Sequence, residues 1–374
     1  MTMNRRRFIG ASASVAGLSV IPGFSSADSG QAAKGLKILF LGGTGFLGPH
    51  TVRYALERGH EVTLFNRGKT NSEMFPELET IIGNRDSDIN DGLSGLRDRQ
   101  WDAVIDTSGY IPRIVGASSR LLAENVGHYL FVSTICQYDN WAEGDRHRTE
   151  EQPRATLVDP ETEDVGTHYC ALKGYCELAA EDEMPERVTQ IRPGLIVGPG
   201  DKTDRFTYWV ARADRGGEML APGKPSDLTQ YIDVRDLGMF MVHCLEKKLT
   251  ETYNLVRQPM PMGEVLESCV RVSDKGTTLT WVPADVLTKH TLRPWQELPM
   301  WADSESPLSG SLTWSSAKAL GAGLTIRPID ETVKDTLDWF ERLPEKRRAT
   351  LRAGISAAKE KEVLAAWHQV QGDS

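Results

Sequence analysis

The sequence predicts an α/β protein, a doubly wound parallel sheet with a smaller C-terminal substrate-binding lobe. Three observations predict it. Short apolar runs alternate with helix-like stretches through the first half of the chain. A glycine-rich turn sits between the first run and the first helix. The length, 374 residues, suits one large α/β unit or two lobes. Hydrophobic residues at 40% and charged residues at 25% are ordinary globular usage, which excludes wholesale disorder. The 34 glycines and 19 prolines have no period, so the chain is not collagen-like. Its formal charge of −9 argues against a general nucleic-acid binder. No apolar run reaches the roughly 18 residues a membrane-spanning helix needs.

The first segment reads as an address. Asn4-Arg5-Arg6-Arg7-Phe8-Ile9-Gly10 is followed by a weakly apolar run from Phe8 to Ile21 and then by Pro22-Gly23-Phe24-Ser25-Ser26-Ala27. A charged start, a short apolar stretch and small residues before a cleavage point make a signal peptide, and the paired arginines resemble a twin-arginine signal. Cleavage is expected after Ala27, with the mature protein periplasmic or extracellular. Loss of Arg5, Arg6 and Arg7 takes the formal charge from −9 to −12. Of five cysteines, Cys136, Cys170, Cys176, Cys244 and Cys269, none forms a CxxC; the number is odd, and all are expected to be unpaired. No zinc spacing exists among cysteines or histidines, so no metal site is expected.

The mature chain opens on Leu36–Leu41, the apolar run of a buried parallel strand. Gly42-Gly43-Thr44-Gly45-Phe46-Leu47-Gly48 follows, then a helix from His50 to Arg58 stopped by Gly59, then the strand His60–Phe65. This is a complete βαβ unit. Its three spaced glycines permit a tight turn, close approach of backbone to a pyrophosphate, and packing of helix on strand. Free N–H groups at the helix start then hold the anion. The unit predicts a Rossmann domain binding NAD(P) through Gly42, Gly43, Thr44, Gly45, Phe46, Leu47 and Gly48. The second strand runs into Asn66-Arg67-Gly68-Lys69 instead of an acid. No carboxylate repels a 2′-phosphate there and two cations can meet one, which leans toward NADP. Ile81–Asp86 is the third strand with its exit, Trp101–Gly109 the fourth and Tyr129–Thr134 the fifth, with a helix over Ile114–Glu124. Asn66, Arg67, Lys69, Asn84, Arg85, Thr107 and Thr134 fall at carboxyl ends of strands, where ligands bind in such sheets.

Tyr169-Cys170-Ala171-Leu172-Lys173 places a tyrosine and a lysine one helical turn apart on a helix running to about Ala180. A phenol is a poor base near pH 7, and a neighbouring ammonium favours its phenolate. The lysine can also hold the cofactor ribose, and Ser133 or Thr134 can hydrogen-bond the substrate oxygen.

With these motifs in view, the chain resembles an extended short-chain dehydrogenase/reductase of the NAD-dependent epimerase/dehydratase group. The resemblance covers most of residues 36–340. It rests on Gly42–Gly48, Ser133-Thr134, Tyr169-xxx-Lys173, Arg192-Pro193-Gly194-Leu195-Ile196-Val197-Gly198-Pro199-Gly200 and Tyr231-Ile232-Asp233-Val234-Arg235-Asp236-Leu237. It implies Tyr169 as acid/base, Lys173 as its partner and ribose ligand, and Thr134 as the substrate-orienting hydroxyl, with Ser133 one residue before the usual position. Three departures stand out: threonine at the hydroxyl position, a polar insertion from Asp139 to Val165, and Asn66-Arg67 and Asn84 where acids are usual. The cofactor turn and Phe65-Asn66-Arg67-Gly68 also resemble the branch containing chloroplast stem-loop-binding proteins, which bind RNA; the intact Tyr169 and Lys173 favour an enzyme.

Four segments are expected: residues 1–27 as signal, 34–204 as the NAD(P)-binding domain, 205–343 as a substrate lobe partly interleaved with it, and 344–374 as a helical tail. Phe206–Trp209, Thr280–Pro283 and Pro294–Trp301 are candidate pocket walls. Glu331–Phe340 reads as an amphipathic helix, and 344–370 as a solvated or subunit-contacting one. His168 is assigned to packing. The expected partner is a small-molecule substrate, a sugar or other secondary alcohol, with no nucleic acid and no membrane beyond the signal; a homodimer is left open. Export adds a constraint, because free nicotinamide nucleotides are cytoplasmic. An exported enzyme that keeps its cofactor needs a redox-closed cycle: epimerisation, dehydration or coupled oxidation and reduction. The alternative is a non-catalytic nucleotide-binding module for RNA or a protein partner.

Overall fold

The computed structural model describes residues 34–143 and 145–372; the signal segment 1–27 lies outside them. Seven parallel strands form one sheet: β1 (Lys37–Leu41), β2 (Glu61–Asn66), β3 (Glu79–Ile82), β4 (Trp101–Asp106), β5 (Val126–Val132), β6 (Val188–Pro193) and β7 (Thr252–Leu255). Their order is β3-β2-β1-β4-β5-β6-β7, with the reversal of winding beside β1. This is the doubly wound sheet the alternation predicted. The third strand lies two residues earlier than expected, and β6 and β7 are additions to the sequence reading; the four residues of β7, TYNL, are too short to carry a period.

A strand's side chains alternate between faces, and both faces of this sheet are covered. Ile38 and Phe40 pack with Val52, Leu64, Leu237 and Met241 under α1 (Leu47–Glu57) and α5 (Val234–Lys247). Leu39 and Leu41 pack with Val104, Val115 and Cys176 under α2 (Pro112–Leu122) and α3 (Val165–Glu183). Because α5 and β7 complete the sheet layers, the later chain crosses back over the N-terminal half of the sheet.

The second lobe is built on α4 (Thr207–Asp214), α6 (Met262–Ser273) and α7 (Ile329–Glu341), beside a parallel pair Glu218–Pro222 and Thr278–Val282. Its core contains Phe206, Trp209, Leu266 and Trp301. Phe206–Trp209 is therefore core and not a pocket wall: Trp209 is fully buried and its indole N–H donates to the Pro299 carbonyl at 2.9 Å. The segment after 344 forms a short helix, Glu345–Arg348, and then α8 (Ala357–Gly372). It is docked, not solvated. Buried Glu360 pairs with Arg212 at 2.6 Å, and Val363 and Leu364 join the lobe core.

Candidate active site

The turn after β1 shows why its residues are glycines. Gly43 has φ +87°, and a Cβ there would lie 2.8 Å from Leu64; a Cβ on Gly48 would lie 2.4 Å from the Gly43 backbone. Only bare backbone closes this turn onto the start of α1. A Cβ on Gly45 would meet nothing within 4 Å, so its backbone is open to a ligand. No acid occupies the first turn of α1, leaving its N–H groups and dipole for an anion. The residues present fit a dinucleotide pyrophosphate.

A trough of about 400 Å³ continues from this turn along the strand ends, lined by Asn66, Arg67, Lys69, Thr70, Asn84 and Ser108 among others. Asn66 accepts the Gly68 N–H at 2.8 Å, and Asn84 accepts the Asp86 N–H at 3.1 Å. Both amides thus shape their own loops. Arg67 and Lys69 are exposed on the trough. Arg85, expected among the cofactor-binding residues, also lines the trough, but its side chain is committed within the protein. It is buried, and its guanidinium grips both oxygens of Asp106 at 2.5 Å and reaches Tyr129 and Ser118. Thr107 lies where the strand-end rule put it, its hydroxyl on the Leu41 carbonyl at 3.3 Å. Ser108, which sequence reasoning missed, holds the same carbonyl at 2.9 Å.

A second cleft of about 480 Å³ meets this trough through shared residues Gly45, Thr107 and Tyr110. Ser133, Thr134, Tyr169 and Lys173 all line it. Ser133 is buried and its Oγ has no hydrogen-bond partner; Thr134 is half-buried and caps the turn at Ile135–Gln137 by accepting the Cys136 N–H at 3.3 Å. Tyr169 sits in the first turn of α3, immediately after a kink at His168 (φ −114°, ψ 21°). Its ring is 38% exposed, open enough to meet a ligand. Burial of the hydroxyl pushes the phenol up to about 12; Tyr110 raises it further, while the Thr134 hydroxyl and Arg205 lower it.

Lys173 does not bind Tyr169 directly, against the expected pairing. The i, i+4 spacing puts both on one helix face, but the long lysine stem runs inward. Its ammonium donates to the Gly109 and Val132 carbonyls, each at 2.6 Å, and lies over the Phe131 ring at 4.1 Å. It clamps the ends of β4 and β5 beneath the cleft. Burial brings it down to about 8. Between about pH 8 and the ordinary lysine range, the unfolded chain keeps a proton that the folded chain has released, so this group makes stability rise with pH across that window. We expect urea titrations of the native protein and Lys173→Met to diverge there by about 1.4 kcal/mol per pH unit at the steepest point. A difference that stays flat from pH 7 to 10 would show that Lys173 keeps its proton.

The structure adds residues the motifs did not reveal. Tyr110 spans both clefts, its ring 6.3 Å from that of Tyr169. Trp141, Trp295, Asp201 and Arg205 line the second cleft. Trp295 belongs to the expected Pro294–Trp301 wall, whereas Trp301 is core. The polar insertion is anchored to the body: Glu150 accepts the Asn254 N–H at 2.8 Å, Arg148 lies over the Trp314 ring at 4.2 Å, and Trp141 packs on a cluster of Ile135, Tyr138, Val256 and Trp314. The cysteine expectation is corrected too. Cys136 and Cys170 form a disulfide with Cα atoms 5.2 Å apart; Cys176, Cys244 and Cys269 are buried and free. A separation of 34 residues carries no spacing signal, because the fold alone joins the end of β5 to the start of α3.

Comparison with known proteins agrees with this architecture. Residues 38–127 match the NAD dependent epimerase/dehydratase family. A 2-alkyl-3-oxoalkanoate reductase of Stenotrophomonas maltophilia is 29% identical over 55% of this chain and 64% of its own length. The chloroplast stem-loop binding protein of 41 kDa b of Arabidopsis thaliana is 25% identical over 59% of this chain and 58% of its own length. The chain thus spans less than two thirds of these curated relatives. Among solved structures, the UDP-Glc/GlcNAc 4-epimerase of Campylobacter jejuni superposes with a TM-score of 0.60 at 17% identity, over 83% of this chain and 100% of that one. The enzyme WbmH of Bordetella bronchiseptica, solved with NAD+, gives 0.59 at 16% identity over 83% and 99%. The glycine turn and the strands around it thus carry the signature of the NAD-dependent epimerase/dehydratase family, on a fold shared with the solved 4-epimerases.

Proposed function

We propose that this chain is an exported NAD(P)-dependent oxidoreductase of the extended short-chain dehydrogenase type, acting on a secondary alcohol or its ketone. One observation carries the reading: the Tyr169 and Thr134 hydroxyls share a cleft that is continuous with a glycine-lined trough fitting a dinucleotide. The Gly42–Gly48 turn with Asn66, Arg67 and Lys69 would hold the cofactor, which would supply hydride acceptance and return. Tyr169 gives its proton to the substrate oxygen as that oxygen gains negative charge, and takes it back in the reverse direction. Thr134 orients the same oxygen. Lys173 braces the strand ends and offers its ammonium to the ribose. Relatives named for an oxoalkanoate reductase and UDP-glucose 4-epimerases support carbonyl–carbinol chemistry.

The Arg5-Arg6-Arg7 segment with its small-residue end supports export by the twin-arginine route. The Cys136–Cys170 disulfide is of the kind that persists in oxidising compartments. An exported enzyme of this type keeps one nucleotide and closes its redox cycle on it. Arg67 and Lys69 are exposed on the trough, and Asp86, the carboxylate that lines it with them, is paired with Arg113 at 2.9 Å; two free cations facing one neutralised acid favour NADP.

Mass spectrometry of nucleotide released on denaturing the purified protein tests this reading. Stoichiometric NADP or NAD is expected. Arg67→Ala with Lys69→Ala is expected to weaken NADP binding by about tenfold or more while changing NAD binding little, because an ionic contact to phosphate is worth roughly 1.5–3 kcal/mol. A protein that is isolated empty and takes up neither nucleotide would refute it.

A further inference from the structure

Among the described residues, Arg205 is the one arginine on the wall of the second cleft, and the proposed function leaves it without a role. Five other arginines set into the body of the protein each close on a carboxylate: Arg85 on Asp106, Arg192 on Glu177, Arg212 on Glu360, Arg235 on Asp233 and Arg327 on Asp236. Arg205 closes on none. Its Nε donates to the Thr203 hydroxyl at 3.1 Å, and its two terminal nitrogens have no partner among the described residues. Asp201 stands nearby, but both its oxygens are taken by Thr203, at 2.8 Å from the backbone N–H and 2.8 and 2.9 Å from the hydroxyl. Asp204, one residue before, is committed to Arg347 at 2.5 Å and to the Arg352 N–H at 2.8 Å.

Arg205 is half-buried, and a partly desolvated guanidinium with no carboxylate partner gains from meeting an anion. Here the pairing is missing on the wall of a cleft that also holds Thr134 and Tyr169. Four free N–H groups in a planar fork match the oxygens of a carboxylate or phosphate. A volume of 480 Å³ is that of a sphere roughly 10 Å across, so a ligand touching Tyr169 and Arg205 together is small. Trp141 and Trp295 line the same space and offer flat apolar faces to its carbon skeleton.

We propose that Arg205 is the substrate-anion receptor of this cleft, and that the substrate carries a carboxylate or phosphate within a few bonds of the carbon whose oxygen meets Tyr169. This rests on the oxidoreductase reading for the identity of that carbon, but the anion site itself is tested by binding alone.

The full chain, loaded with NADP+, is titrated with matched pairs: D-galacturonate and D-galactose, 3-hydroxybutyrate and 2-butanol, glucose 6-phosphate and glucose. Quenching of tryptophan fluorescence reports binding. At least one anion is expected to bind about tenfold or more tightly than its neutral partner, the usual worth of a charge-assisted contact. Arg205→Gln should erase that preference while leaving the neutral partner and the nucleotide bound as before, and Arg205→Lys should restore part of it. The carboxylate and phosphate pairs tell the two anions apart. Equal binding within every pair, or a preference that survives Arg205→Gln, would overturn the assignment. The nicotinamide absorbance band is followed in the same mixtures. An anion preference with neither a change in the band nor any altered sugar or alcohol recovered from any pair keeps the receptor and removes the oxidoreductase reading; conversion without a preference does the reverse.

Discussion

Tyr169→Phe is expected to cut turnover by about 10²- to 10⁴-fold while leaving nucleotide bound. The substitution removes one oxygen and keeps the ring, which is 38% exposed and rests 6.3 Å from the Tyr110 ring. Packing is therefore retained, and α3 keeps its cap at Asp164 and its kink at His168. What disappears is the phenol hydroxyl that faces the Thr134 hydroxyl in the cleft beside the glycine-lined trough. With its proton held to about pH 12 by burial, Tyr169 is an acid at neutral pH. It protonates an oxygen that is becoming an alkoxide, and in oxidation it must be helped by whatever positive charge the bound cofactor and Arg205 place beside it. The loss should therefore fall on kcat, with KM and nucleotide content near those of the native protein. Single-turnover hydride transfer followed through the nicotinamide absorbance would measure it. Native turnover in Tyr169→Phe would remove the acid/base role from this residue, and loss of nucleotide together with turnover would make Tyr169 a structural part of the trough.

The nucleotide-binding half was legible because its demands are local. A turn that admits no side chain forces glycine at Gly43 and Gly48, and a strand buried on both faces forces the run from Lys37 to Leu41. Such constraints print themselves on adjacent residues. The cleft was legible only in part. Tyr169 and Lys173 follow from helical spacing, but spacing says nothing of where a four-carbon stem ends, and Lys173 ends on the carbonyls of Gly109 and Val132. Arg85 shows the same limit from another side. Its place at a strand end suggested a ligand, whereas Asp106 and Tyr129, 21 and 44 residues away, draw it into the core. Arg205 and Trp141 come from separate segments, and no local pattern could announce that they face the cavity that the expected wall at Trp295 also lines. The aromatic cluster Phe206–Trp209 was the converse case. A dense aromatic run is as good a core as a pocket, and here the helices of the second lobe close over it.

The disulfide was invisible for the same reason, and it leads to the second large effect. Cys136 stands two residues after Thr134, in a turn that Thr134 itself caps; Cys170 stands one residue after Tyr169. One covalent bond thus ties together the two backbone segments that carry the two hydroxyls. Cross-linking residues 34 apart removes freedom from the unfolded chain, worth up to about 4 kcal/mol on a loop-entropy estimate and ~2–4 kcal/mol in typical cases. Cys136→Ser with Cys170→Ser should lower the urea midpoint accordingly. The more telling effect is local. The helix is kinked at His168, immediately before Tyr169, so without the cross-link the Tyr169 backbone is expected to have more freedom than the rest of the helix. Catalysis depends on placement within a fraction of an ångström, and a displacement of about 1 Å can cost about 10²-fold. Turnover should therefore drop at temperatures where the double variant is still fully folded, while nucleotide binding at Gly42–Gly48 stays intact, because that turn is closed by its own backbone and not by the cross-link. Dithiothreitol treatment of the native protein should reproduce that pattern, and reoxidation should reverse it. A reduced protein that turns over at the native rate while folded would show that the bond serves stability alone, and that packing of Ala171 and Leu172 against Leu157 is sufficient to hold Tyr169 in place.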